Sequence, residues 1–230
     1  VADRTLAWLG EQGQSPWFCW MSFPDPHHPW DVPRSELHRV NWRNLGLPTA
    51  YLGGDEARRV LGSKPKHWLG YYEASLWSNL ESPRDYVPAD MTPDQVREIN
   101  AMTHIENELI DEACQRVIDY LKAHDLYDHT DIFFTTDHGE LQGDYGLMFK
   151  GPYHVDALMR LPFIWKPGQI GVEPQVIDEP VGHVDLAPTL CAIAGIEPEQ
   201  MDGGALPTSA DEALQQGRET TMTEWASEHG

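Results

Sequence analysis

The chain has 230 residues, 40% of them hydrophobic and 23% charged, which is enough apolar material for a folded core. Lys and Arg number 16 against 37 Asp and Glu, so the formal charge of −21 opposes a DNA or RNA backbone, and any anionic substrate needs a local island of positive charge. No apolar run approaches the roughly 20 residues that cross a bilayer, so neither nucleic acid nor membrane is expected as a partner, while the compartment (cytoplasmic, periplasmic or secreted) stays open.

The opening stretch, VADRTLAWLGEQG, carries acids and no basic start before an apolar run, so it reads as the end of a helix and not as a signal peptide. Residues 17–23, WFCWMSF, are an apolar run of strand length bounded by Ser15-Pro16 and Pro24-Asp25-Pro26, which predicts a strand covered on both faces. From 25 to 90 the chain is rich in Pro, Gly, Trp and charge without steady periodicity, which predicts a loop excursion interrupted at most by short helices.

Thr92-Pro93-Asp94-Gln95 is a capping-box start for a helix over 93–124. Ile99, Met102, Ile105, Leu109, Ala113, Val117, Tyr120 and Leu121 recur every three or four residues and predict its core stripe, with Glu106, Glu108, Asp111 and Glu112 mostly toward water. A strand over 131–136 follows, then a loop over 137–160 and a strand over 161–166. Val176-Ile177 is a further short extended candidate, and 185–194 predicts a helix with Asp185 as N-cap and Gly195 past its end. The stretch after about Gln200 is acidic and weakly patterned. Cys19, Cys114 and Cys191 are odd in number and far apart, which predicts small core residues, with no disulfide framework or zinc knuckle. The order of elements is α/β, read as one domain over 1–230.

Chemistry concentrates where the strand over 131–136 stops, at Asp137, His138, Gly139 and Glu140. Ligands of open parallel sheets gather beyond the carboxyl ends of strands, and His27 and His28 hold the matching place after 17–23. Gly139 is expected to let the chain turn sharply, so that Asp137 and His138 face one point. A carboxylate with a neutral imidazole is a mixed ligand pair for a divalent cation, and two ligands are too few, so a further acid must come from elsewhere. Taken alone, Asp-His-Gly is more often an exposed turn, Lys150 a solvated lysine and His27 a loop residue.

The context of that loop is more specific. The Gly143-Asp144-Tyr145-Gly146 turn, Lys150-Gly151-Pro152-Tyr153 and Arg160-Leu161-Pro162 follow in order, preceded by Pro26-His27-His28-Pro29 and succeeded by His183-Val184-Asp185-Leu186-Ala187-Pro188-Thr189-Leu190 with Ala194-Gly195 and Asp202-Gly203. This series resembles the sulfatases of the alkaline-phosphatase superfamily over nearly the whole chain. The resemblance implies an α/β sandwich with a mostly parallel central sheet flanked by helices, incomplete in this chain. It implies that Asp137 and His138 hold one divalent metal ion, with Ca²⁺ or Mn²⁺ first and Mg²⁺ or Zn²⁺ as alternatives. It implies that Lys150 contacts the sulfuryl oxygens and that His27 lies beside the leaving-group oxygen, with His28 and His154 as second-rank substrate contacts and His183 structural. The substrate implied is a small-molecule or carbohydrate sulfate ester.

The family's nucleophile, a Cys or Ser in Cys-x-Pro-x-Arg or Ser-x-Pro-x-Arg that becomes formylglycine, does not occur here. The three cysteines are followed by WMSF, QRVI and AIAG, and Ser63-Lys64-Pro65-Lys66-His67 lacks the Arg. The residues are therefore expected to form the later part of a longer enzyme that carries the nucleophile and further metal-binding acids elsewhere. A phosphonate or phosphate monoester hydrolase on the same scaffold and a non-catalytic binder of sulfated ligands remain as alternatives. Trp30, Trp42, Trp68 and Trp77 are candidates for stacking on substrate or for packing.

Overall fold

In a computed structural model of the chain, residues 1–13, 15–75, 85–197 and 200–223 are described; Trp77 lies outside them. The elements are α1 (Ala2–Leu9), α2 (Gly54–Leu61), α3 (Lys66–Tyr72), α4 (Pro93–Ala123), β1 (Ile132–Thr135), α5 (Asp156–Met159), β2 (Phe163–Lys166), α6 (Leu186–Ala194) and α7 (Ala210–Gln216), with short 3₁₀ turns between them. β1 and β2 form a two-stranded sheet, so the fold is α/β. The chain divides into two compact units, Val1–Tyr127 with Phe134–Ile164, and Asp128–Phe133 with Trp165–Gly230.

In the first unit α4 is the long element, and its start is closed reciprocally. The Gln95 backbone N–H donates to the Thr92 hydroxyl at 3.2 Å, while the Thr92 N–H donates to the Gln95 side chain at 2.8 Å. Glu106 departs from its expected water-facing side, since it is only 4% exposed. Its Oε2 has no hydrogen-bond partner among the described residues, and burial, reinforced by the charges of Asp25 and Asp31, pushes its carboxyl up to about 7.

The stretch over 25–90 is framework as well as excursion. Ala57 and Leu61 of α2 and Trp68, Tyr71 and Tyr72 of α3 are buried with Leu141, Leu147, Met148, Phe149, Tyr153 and Leu158 in one core. Helices of seven and eight residues are too short to display a full apolar stripe, which is why periodicity missed their contribution. Residues 17–23 belong to no ladder among the described residues, contrary to the expected strand. They alternate in burial as a strand does, but Phe18 and Trp20 point outward, 63% and 72% exposed. β2 begins two residues later than expected, after Pro162, whose missing N–H cannot join a ladder. Val176-Ile177 forms no strand. The three cysteines are free and half-buried, where small core residues were expected.

In the second unit the expected helix over 185–194 begins at Leu186, and Gly195 ends it in the left-handed conformation at φ 66°. Asp185 does not cap that helix with its side chain. It is fully buried and accepts hydrogen bonds from the Gly182 N–H at 2.9 Å, the Gly204 N–H at 3.1 Å and both terminal nitrogens of Arg218, one of them at 2.9 Å. Burial alone would raise its carboxyl, but Arg218 and the two backbone donors outweigh it and hold it below the usual carboxylate range.

Arg218→Ala leaves that buried carboxylate short of its cation. The expected loss in the complete protein is about 2–3 kcal/mol, below the range for fully buried pairs because the Arg218 side chain is 30% exposed. A depressed carboxyl stabilises above its unfolded value and loses that contribution as pH falls through the folded one, so the difference between parent and variant in denaturant melts should shrink from pH 7 toward pH 3. A pH-independent difference would contradict this.

Candidate metal and anion site

The chain leaves β1 at Thr135, and Asp137 and His138 stand two and three residues beyond. The Asp137 Oδ1 accepts the His138 backbone N–H at 2.9 Å, closing a tight local turn. The His138 Nδ1 lies 2.8 Å from the Gly139 carbonyl, which can only accept, so Nδ1 carries the proton and Nε2 keeps its lone pair. That lone pair faces the Asp137 Oδ2 at 3.7 Å, and the Asp137 side chain is 84% exposed. Burial acts to raise the Asp137 carboxyl, but the charge that His138 carries when protonated, the His138 and Asp137 backbone donors and the Thr136 hydroxyl outweigh it and keep it below the ordinary carboxylate range.

An ionised carboxylate oxygen and an imidazole lone pair side by side fit a divalent cation, and the Gly139 carbonyl supplies the orienting partner that metal-binding histidines need. They make an incomplete shell. Among the described residues no group of three or more His, Cys, Asp or Glu is placed to hold a metal ion.

Gly139 earns its place by close approach and not by an unusual φ, which corrects the expected reason for it. Its N–H donates to the Leu158 carbonyl at 3.0 Å, and a β-carbon added there would lie 1.9 Å from the Ala157 carbonyl oxygen. The turn that presents Asp137 and His138 therefore rests directly on the backbone of α5. Gly146 adds a second requirement: φ is +74° and a β-carbon would lie 2.5 Å from the Leu52 carbonyl oxygen.

Beyond that turn the loop closes on itself. The Leu141 N–H donates to the Phe149 carbonyl at 2.9 Å and the Gly143 N–H to the Leu147 carbonyl at 2.8 Å, and Lys150 emerges immediately after the closure. The Lys150 ammonium donates to the His27 Nε2 at 2.7 Å. The His27 Nδ1 lies 2.6 Å from the His28 carbonyl and must be the protonated nitrogen, so Nε2 is the acceptor toward Lys150. Two residues 123 positions apart are thus joined, and the local positive charge demanded by a chain of −21 is placed on an imidazole.

His28 stacks on His27 with ring centroids 4.1 Å apart. The structure therefore gathers Asp137 with His138, and His27 with His28 and Lys150, all within the first unit. His154 is exposed. His183 sits in the 3₁₀ turn His183–Asp185 of the second unit. Of the tryptophans, Trp68 is core, Trp42 lies under the Arg43 guanidinium at 4.1 Å, and Trp30 stacks on Phe149. Sequence reasoning missed Phe149 and Tyr86, which line the same cluster; an aromatic beside Lys150 was the available signal.

The sulfatase family profile matches residues 1–196. The chain belongs to the sulfatase family. It is 28% identical to the uncharacterized sulfatase YidJ of Escherichia coli over 88% of this chain and 37% of that protein. It is 27% identical to an arylsulfatase of Clostridium perfringens over 92% and 41%. The crystal structure of a phosphonate monoester hydrolase of Agrobacterium radiobacter superposes with a TM-score of 0.75 at 28% identity, over 89% of this chain and 40% of that one. The chain thus spans about two fifths of the length of these relatives and shares its fold with that alkaline-phosphatase-superfamily hydrolase.

Gly139→Ala should drive the Asp137–His138 turn off α5. In the complete protein, elemental analysis is expected to show loss of tightly held divalent metal in this variant and in Asp137→Ala alike. Unchanged metal content in Asp137→Ala would remove Asp137 from the ligand set, whatever the stability of either variant.

Proposed function

We propose that the chain is the later part of a metal-dependent hydrolase of sulfate monoesters. The observation that carries this reading is the 2.7 Å contact between Lys150 and His27, a permanent cation and a proton-transferring group brought together from distant parts of a family-matched chain. The nucleophile and the remaining metal-binding acids lie, under this reading, outside these residues.

Cleavage of a sulfate monoester builds negative charge on the leaving oxygen as the S–O bond breaks. A divalent cation held by Asp137 and His138 would supply electrostatic stabilisation to the ester oxygens. Lys150 would hold the sulfuryl group as a point charge already fixed in place before the reaction, which avoids reorganisation during bond breaking. His27, with its Nδ1 proton engaged by the His28 carbonyl, would use Nε2 to pass a proton to the leaving oxygen. Because Nε2 accepts from Lys150 in the structure, that proton reaches His27 from solvent, which leaves Lys150 charged, and the ester must enter between the two side chains. His28 and His154 rank behind as substrate contacts: His28 holds His27, and His154 is exposed.

A second reading, hydrolysis of phosphonate or phosphate monoesters, is favoured by the phosphonate monoester hydrolase fold match and by His138 beside the metal aspartate. Relative kcat/KM of the complete protein on p-nitrophenyl sulfate, p-nitrophenyl phosphate and a phenylphosphonate monoester separates the two; the sulfate ester is expected to lead, and a leading phosphonate ester would replace the reading.

The roles within the pair are separable by a leaving-group series. Lys150→Ala should cost about 10² to 10³ in rate across the series, since the transferring group is common to all esters. His27→Ala should matter little for nitrophenolate and cost roughly 10² to 10⁴ for alkoxides, which need a proton. An unchanged slope of log rate against leaving-group pKa in His27→Ala would pass the role to His28 or His154.

A further inference from the structure

A 2.7 Å contact between a four-carbon side chain and a residue on an exposed loop needs something to hold both partners. Lys150 is held through the backbone, since it follows Phe149, whose carbonyl accepts the Leu141 N–H at 2.9 Å. His27 is held through rings. His28 stacks on it at 4.1 Å with an interplanar angle of 26°, and His28 in turn meets Phe149 edge to face at 4.7 Å and 73°. Phe149 is flanked again by Trp30, stacked at 5.7 Å and 16°, and by Tyr86, edge to face at 5.4 Å and 81°. One ring therefore touches every other aromatic of the cluster except His27 itself, which it reaches through His28.

The backbone at this residue is unusual as well. Phe149 has φ +64°, a region that residues with a β-carbon seldom occupy and that surrounding structure must enforce. Its ring is 4% exposed while the next residue, Lys150, reaches the exposed His27. We propose that Phe149 is the positioning residue of the pair, its ring fixing His27 through His28 and its backbone fixing Lys150, so that a single side chain sets the separation of the two groups. This rests on the reading in which His27 and Lys150 act on one ester.

The test uses the complete protein labelled with ¹⁵N-histidine, and the variants Phe149→Leu and Trp30→Leu, with Trp30→Phe as the conservative control. Long-range ¹H–¹⁵N spectra of the parent should show His27 as a single Nδ1–H tautomer. Phe149→Leu should mix the tautomers and, in the leaving-group series, lower kcat for alkyl sulfates by about 10-fold or more with KM moved less than about threefold, steepening the slope toward that of His27→Ala. Trp30→Leu should do the same to a smaller extent and Trp30→Phe should restore the parent spectrum; these variants decide the matter if Phe149→Leu does not fold. A merely structural Phe149 would lower the melting temperature and all rates together, leaving the tautomer and the slope unchanged, and that result overturns the proposal. The spectrum does not depend on turnover, so a parent inactive on every ester would remove the sulfatase reading while the tautomer still decides the role of Phe149.

Discussion

The pairing of the Leu141 N–H with the Phe149 carbonyl is the contact on which the candidate site depends. It closes a loop whose buried side chains, Leu141, Leu147, Met148 and Phe149, are core residues packed with α2 and α3. The residues on either side of the closure carry the chemistry: Asp137 and His138 come before it and Lys150 after it. A backbone bond between buried residues is worth more than an exposed one, because neither partner can exchange it for water. The loop is thus anchored from below. Gly139 anchors one of those ends again by lying against the backbone of α5 at a distance that no β-carbon tolerates.

The same arrangement explains how an acidic chain presents positive charge. The Lys150 ammonium meets the imidazole Nε2 of His27 at 2.7 Å. Other cations of the chain meet acids: Arg39 meets Glu36, Glu108 and Glu112, Arg97 meets Asp94, and Arg218 meets Asp185.

Much of this was legible in the sequence. The capping box at Thr92, the period of α4, the strand before Asp137 and the glycine after α6 are local signals, and each is realised within one or two residues. The proximity of Asp137 and His138 followed from adjacency. What escaped was whatever depends on contacts between distant segments. α2 and α3 are too short to announce their buried faces, Glu106 lies on the wrong side of its helical pattern, and Asp185 looked like a cap when its carboxylate serves Arg218 and two backbone donors. The run over 17–23 was read as a strand covered on both faces, but a ladder needs partners, none pairs with it among the described residues, and Phe18 and Trp20 are exposed. Phe134 and Ile164 of the small sheet are exposed in the same way as Phe18 and Trp20. The role of Gly139 was invisible for a similar reason: a close approach depends on what approaches, and α5 lies nearly twenty residues downstream.

The central claim is that the Asp137–His138 pair and the His27–Lys150 pair serve one tetrahedral anion. A crystal structure of the complete protein with a divalent cation and inorganic sulfate measures this directly. The account predicts the cation on Asp137 and His138, and one sulfate within roughly 3 Å of the Lys150 Nζ and within hydrogen-bond reach of the His27 Nε2. Asp137 and His27 on opposite faces of the sheet, with no anion shared between them, would contradict it.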